Sequence, residues 1–144
     1  MDKKNIRVLV VDDEERFRKT ATATLKKRGF EVEAVGSGLE AINNLKTNDF
    51  DVVVLDVKMP GMDGNEALRE IKILKPDLEV VMLTAHGTVD SALAGWRDQV
   101  FAYLTKPIDV DILAEKIRDA AAKRRGIDSA LWYTVWKDRV DITD

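Results

Sequence analysis

The chain has 144 residues, with 23 basic and 26 acidic side chains, a net charge of -3 and no cysteine. That length suits one domain with a sizeable core and a short tail, and the near balance of charge argues against a strong nucleic-acid footprint or an acidic tail. Without cysteine, disulfides, thiolate metal sites and a cysteine nucleophile are excluded, and the single histidine, His86, with no partner histidine and no obvious orienting carboxylate nearby in sequence, gives a His-rich zinc site or a Ser-His-Asp triad poor support.

In chain order, charged Asp2, Lys3 and Lys4 lead into an apolar stretch at 6–11 that is too short and wrongly flanked for a signal peptide. No run approaches the roughly 18 apolar residues of a membrane span, so a soluble, cytoplasmic protein without membrane contact is expected. Short apolar runs at 8–11, 52–55 and 80–83, with an alternating stretch at 30–35, predict strands of a parallel sheet, the continuous ones buried on both faces.

Between them lie segments of helical spacing. Phe17, Ala21 and Leu25 form one sheet-facing stripe, and Leu68, Ile71 and Leu74 another. Gly29 is placed to end the first helix, while Ser37 with Glu40, and Asp63 with Glu66, have capping-box spacing. A helix over residues 88–98, a fifth strand at 102–105 and a last helix over 109–125, with Val110, Leu113, Ile117 and Ala121 inward, complete five βα units. The expected fold class is α/β, a doubly wound five-stranded parallel sheet, with ligands bound at the carboxyl ends of its strands. Residues 1–125 form the expected domain and 126–144 a tail.

Three carboxylates stand at such strand ends: Asp12 and Asp13 after the first strand and Asp56 at the end of the third. Clustered carboxylates repel, and a hard oxygen-seeking cation such as Mg2+ is the simplest neutraliser. Asp13 taken alone also suits a cap for the helix that begins near Glu14. The fourth strand ends in Thr84 and the fifth is followed by Lys106 and Pro107, a hydroxyl and an ammonium suited to phosphate oxygens. Each also has an ordinary reading, a turn for Thr84 and a solvated charge for Lys106.

The stretches VLVVDDEE at 8–15, VVVLDVKMPGMDG at 52–64, VVMLTAHGTVDSA at 80–92 and AYLTKPID at 102–109 resemble, in order and spacing, the receiver domains of two-component response regulators. HGTVDSA is most similar to receivers that precede σ54-activating ATPases, although no such ATPase is present in this chain. The resemblance, over residues 6–122, implies a flavodoxin-like (βα)5 fold of strand order 2-1-3-4-5. It also implies a phosphoacceptor switch fed by the phosphohistidine of a sensor histidine kinase or phosphotransfer protein.

Position by position, the resemblance makes Asp56 the phosphoacceptor and Asp12 and Asp13 the Mg2+-holding pair, with Lys58 lending its backbone carbonyl to the metal. Thr84 becomes the hydroxyl that shifts toward the phosphoryl group, Lys106 the cation that pairs with it, and Tyr103 the aromatic that turns inward. Lys106–Pro107 matches a cis peptide. The helix at 88–98, the fifth strand and the last helix would form a homodimer or partner face, with no direct nucleic-acid contact. A different class, a phosphohydrolase turning over small phosphoesters on Asp56, would call for an acid/base aspartate where Lys58 stands.

Three features depart from the pattern. Lys58 and His86, each two residues beyond a site residue, can touch the phosphoryl group or stand as solvated rim, and an altered phosphoryl lifetime is expected if they touch it. Gln99 replaces the usual glycine at the end of the helix carrying Trp96, just before Val100 and Phe101, which changes that helix end if Gln99 must be left-handed. The tail, with Leu131, Trp132, Tyr133, Val135, Trp136 and Val140, reads equally as a strap on this domain or as a contact segment, with an added helix as one form of it.

Overall fold

The computed structural model describes residues 5–85 and 99–126. Five strands, β1 (Arg7–Val11), β2 (Glu31–Val35), β3 (Val52–Asp56), β4 (Glu79–Thr84) and β5 (Ala102–Thr105), form one sheet in the order β2-β1-β3-β4-β5. Every pair is parallel. Among the described residues four helices accompany them, α1 (Glu15–Lys27), α2 (Gly38–Leu45), α3 (Gly64–Leu74) and α4 (Val110–Arg124). The fold is therefore the expected doubly wound sheet of order 2-1-3-4-5. The helix expected over residues 88–98, including Trp96 and His86 just before it, lies outside the described residues, as does the tail at 127–144.

Alternation along the central strands explains why both faces are covered. Val8, Val10, Val52, Val54, Val81 and Leu83 join Leu25 of α1 and Leu113 and Ile117 of α4 in one buried cluster. Their neighbours Leu9, Val11, Val53, Leu55, Val80 and Met82 join Ala41 and Leu45 of α2 and Leu68 and Ile71 of α3 on the other face. A strand with a helix layer on each side has no solvent face, which is why its sequence reads as an unbroken apolar run. The three alanines Ala120, Ala121 and Ala122 are fully buried in α4. Among the described residues no helix is long and apolar enough to cross a membrane.

Most helix boundaries follow the expected chemistry. Gly29, with φ 93°, ends α1, its N–H bonding to the Lys26 carbonyl and that of Phe30 to Leu25. Asp63 and Glu66 form the complete capping box of α3. Three expectations need correction. Ser37 accepts from the Glu40 amide, but the Glu40 carboxylate is bonded by the Ser37 hydroxyl, so only half of that box forms. Leu74, expected on the inward stripe, is 37% exposed at the last position of its helix, beyond the reach of the sheet. Asp13 is not the cap of α1: Glu14 holds the N-cap position, and its amide donates to the Asp12 carboxylate at 2.9 Å. Val100 and Phe101 are half-buried and pack on opposite core clusters.

At the amino ends of the strands a buried carboxylate that the pattern did not single out ties the last helix to the sheet. Asp51 accepts from the Arg7 amide at 3.0 Å, from Arg125 through Nε at 3.0 Å and a terminal nitrogen at 2.8 Å, and from Arg124 at 3.3 Å. Arg125 also donates to the Asn5 carbonyl at 2.8 Å. The fork fits both carboxylate oxygens at once, the arrangement that makes arginine pairs directional. Asp51→Ala leaves two guanidinium groups and a backbone amide without their acceptor, and a loss of about 3 kcal/mol in urea unfolding is expected.

Candidate functional site

The carboxyl ends of β1 and β3 bring acidic side chains together because the two strands are adjacent in the sheet although far apart in sequence. Asp12 follows β1 and is completely buried, while Asp56 ends β3 at 7% exposure. Asp13 stands beside them in solvent. Each of the three offers a carboxylate oxygen, and those oxygens lie within 4.8 Å of one another. An all-oxygen set at this spacing fits a small hard cation, which needs carboxylate ligands and keeps some of its water.

Several contacts hold this end of β1. The Asp12 amide donates to the Val35 carbonyl at 3.2 Å, and the Arg18 guanidinium donates to the Asp12 carbonyl at 2.8 Å. On the other side, the chain leaving β3 folds back so that the Gly64 amide donates to the Val57 carbonyl at 2.8 Å. A Cβ on Gly64 would lie 2.5 Å from the Asp56 carbonyl oxygen and 2.7 Å from Val57 Cα, so only glycine permits α3 to begin this close to the acidic residue. An open cleft of about 400 Å3 beside this turn is lined by Val57, Lys58, Met59, Pro60, Asp63 and Asn65.

Lys106 supplies the compensating charge. The Lys106–Pro107 peptide is cis, as expected. The lysine amide donates to the Thr84 carbonyl at 2.7 Å, and its ammonium lies 2.5 Å from Asp12 Oδ2 and 3.8 Å from Asp56 Oδ2. The nearer partner is thus Asp12. Burial, and then the neighbouring Asp12 charge, push the Asp56 carboxyl up from 3.8 to about 6, with Lys106 and the Lys58 amide pulling the other way.

The remaining expected residues divide. Thr84 ends β4 one position beyond Leu83, the register partner of Asp56, so it stands at the same end of the sheet and is half-buried. Tyr103 pairs in register with Met82 and packs half-buried in the layer that contains Val80 and Met82, whose alternation Thr84 continues. Lys58 contributes through its backbone N–H to Asp56, while its side chain is exposed. Arg18 and Gly64 were not singled out from the sequence. An arginine on a helix and a glycine at a helix start acquire their roles only when another segment lies against them.

In excess chelator the raised Asp56 group makes a defined contribution to stability. Between pH 3.8 and about 6 the folded protein binds the proton more tightly than the unfolded chain does, so this contribution falls as pH rises through that window. Asp56→Asn removes the buried charge. Chemical denaturation is expected to find the variant more stable than wild type by roughly 1–3 kcal/mol at pH 7.5 and equal to it below pH 4.

Comparison with known proteins agrees with this geometry. A family model described as the response regulator receiver domain matches residues 8–118. The C4-dicarboxylate transport transcriptional regulatory protein DctD of Rhizobium meliloti is 36% identical over 118 residues, which cover 82% of this chain and 26% of that protein. The transcriptional regulatory protein ZraR of Escherichia coli K12 is 36% identical over 125 residues, covering 87% of this chain and 28% of that protein. The chain thus spans between a quarter and a third of these relatives. Among solved structures, a receiver domain protein from Clostridium thermocellum superposes with a TM-score of 0.76 at 34% identity, covering 83% of this chain and 97% of that one. The response regulator TrrA from Thermotoga maritima, solved in complex with Mg2+-BeF, superposes with a TM-score of 0.70 at 32% identity, covering 80% and 98%. With the five-stranded order, the acidic cluster at its carboxyl edge and these matches in agreement, the chain belongs to the response regulator receiver domain family.

Proposed function

We propose that Asp56 takes a phosphoryl group from the phosphohistidine of a sensor kinase or phosphotransfer protein, and that the resulting charge resets an output surface. The observation that carries this reading is the meeting of Asp12, Asp13, Asp56 and the Lys106 ammonium at one strand edge of a receiver fold. An oxygen of Asp56 forms the new bond to phosphorus while the bond from phosphorus to the donor imidazole breaks, its electron pair staying on nitrogen. Asp12, Asp13 and Asp56, with the Lys58 backbone carbonyl, are the proposed Mg2+ ligands. Bound there, Mg2+ would offset the repulsion between carboxylate and phosphoryl oxygens. The Mg2+-BeF complex of the Thermotoga maritima relative supports that assignment.

Lys106 and Thr84 are the proposed readers of the modification. A phosphoryl group carries roughly -1.5 to -2 where the carboxylate carried -1, which draws the ammonium and the hydroxyl toward it and leaves Tyr103 space to pack inward. The chain's own residues assist the transfer and a slow self-hydrolysis, and Lys58 and His86 are placed by sequence to tune the latter. The turnover hydrolase reading loses support because an exposed ammonium, Lys58, stands where an acid/base carboxylate is needed.

The proposed output face consists of β5, α4 and the segment at 88–98, used for a homodimer or a protein partner in the cytoplasm. Residues 1–125 act as the receiver unit, with 126–144 as a contact segment. DNA contact, where the transcriptional relatives need it, is assigned to regions outside this unit.

Incubation with Mg2+ and acetyl phosphate is expected to add one phosphoryl mass to wild type and none to Asp56→Asn or to wild type in excess chelator. Equal modification of Asp56→Asn in intact mass spectra would overturn the assignment. Lys106→Ala is expected to unfold cooperatively and to remain competent for phosphorylation, yet to lose the change in sedimentation that beryllofluoride produces in the wild-type chain.

A further inference from the structure

Helix α1 carries one aromatic side chain, Phe17, and spacing alone makes it part of the sheet-facing stripe. It is half-buried against the core cluster that contains α4 residues. Packing explains its apolarity but not what lies over its ring. The Lys106 ammonium sits above the ring face, 4.5 Å from the centroid, in the same position that places it 2.5 Å from Asp12 Oδ2 and 3.8 Å from Asp56 Oδ2. An ammonium has three N–H donors and no acceptor. Here the two carboxylates take one side and the negative face of an aromatic quadrupole takes another.

The Lys106 side chain is only 20% exposed, so little water remains to compete for the cation. A ring contact of this kind is strongest where the cation is partly desolvated. The ring contact and the Asp12 contact are made from one and the same position of the ammonium. The ammonium on Oδ2 and the Glu14 amide on Oδ1 occupy both Asp12 oxygens, so a metal ion taking Asp12 as a ligand competes with the held ammonium for this carboxylate.

We propose that Phe17 is a positioning residue for Lys106, its ring face seating the ammonium on Asp12 so that a divalent cation must displace a held charge to reach that carboxylate. This inference rests on the reading of Asp12, Asp13 and Asp56 as a Mg2+ site. Phe17 touches neither the metal nor the reacting atoms; it acts through Lys106 and sets how much Mg2+ is needed to release the lysine toward Asp56. A leucine keeps most of the apolar volume and removes the quadrupole, whereas a tyrosine keeps both.

Calorimetric titration of the full chain with MgCl2 tests this with wild type, Phe17→Leu, Phe17→Tyr, Lys106→Met and the double variant Phe17→Leu/Lys106→Met. Phe17→Leu is expected to bind Mg2+ roughly two- to thirtyfold more tightly than wild type, the range that such ring contacts span. Phe17→Tyr is expected to stay within about twofold of wild type, and in the Lys106→Met background the leucine is expected to change nothing, since the partner of the ring is gone. Should Phe17→Leu fail to unfold cooperatively, Phe17→Met takes its place with the same expectations. Unchanged affinity in Phe17→Leu, or an equal shift in the Lys106→Met background, would overturn the seat and mark Phe17 as a packing residue. Failure of wild type itself to bind Mg2+ would overturn the metal site and, with it, this inference.

Discussion

The charge balance at the carboxyl edge of the sheet is the constraint around which the rest of this structure is arranged. Asp12 and Asp56 are both buried, Asp13 adds a third carboxylate at the rim, and one ammonium faces them. Lys106 does not divide itself evenly: its Nζ is 2.5 Å from Asp12 and 3.8 Å from Asp56. Asp56 has the more distant cation, and burial, then the neighbouring Asp12 charge, raise its carboxyl to about 6. A buried charge without full compensation costs stability, and a site that carries this cost is poised to gain from an incoming cation.

Much of the surrounding architecture keeps these charges apart and in place. The Glu14 amide and Arg18 hold the two ends of Asp12, the Val35 carbonyl holds its backbone, and Gly64 lets α3 begin against Asp56. These supports come from α1, β2 and α3, so the position of each carboxylate depends on packing across both layers. Rigid surroundings matter because a carboxylate free to turn into solvent would relieve its own repulsion and lose the advantage.

The opposite edge of the sheet offers an instructive contrast. Asp51 is as buried as Asp56, but both of its oxygens are taken by Arg124, Arg125 and the Arg7 amide. A carboxylate with all its acceptor sites occupied is a fastening; one facing other carboxylates carries a repulsion that its neighbours do not relieve. The fastening fixes the end of α4, while the acidic cluster lies at the other end of the strands. The same residue type thus serves two ends of one sheet, and the neighbours decide its role.

The central strands were legible because burial on two faces leaves a one-dimensional mark, the continuous apolar runs at 8–11, 52–55 and 80–83, whereas their order came from the resemblance of the strand-end motifs to receiver domains. Asp12, Asp13, Asp56, Thr84 and Lys106 could be chosen because a doubly wound sheet gathers its strand ends at one edge, so position along a strand is enough to nominate a residue. Spacing could also propose a cap, as at Asp63, where donor and acceptor are three residues apart. What the tertiary structure alone decided is which charge meets which. That Lys106 leans on Asp12 rather than Asp56, that Phe17 offers it a ring face, that Arg18 secures a carbonyl and that Asp51 collects two arginines all depend on distances of a few ångströms between segments far apart in the chain. Local sequence records which face of an element is apolar, because burial acts on each residue separately; pairing energies act between residues brought together by folding, and no periodicity carries them.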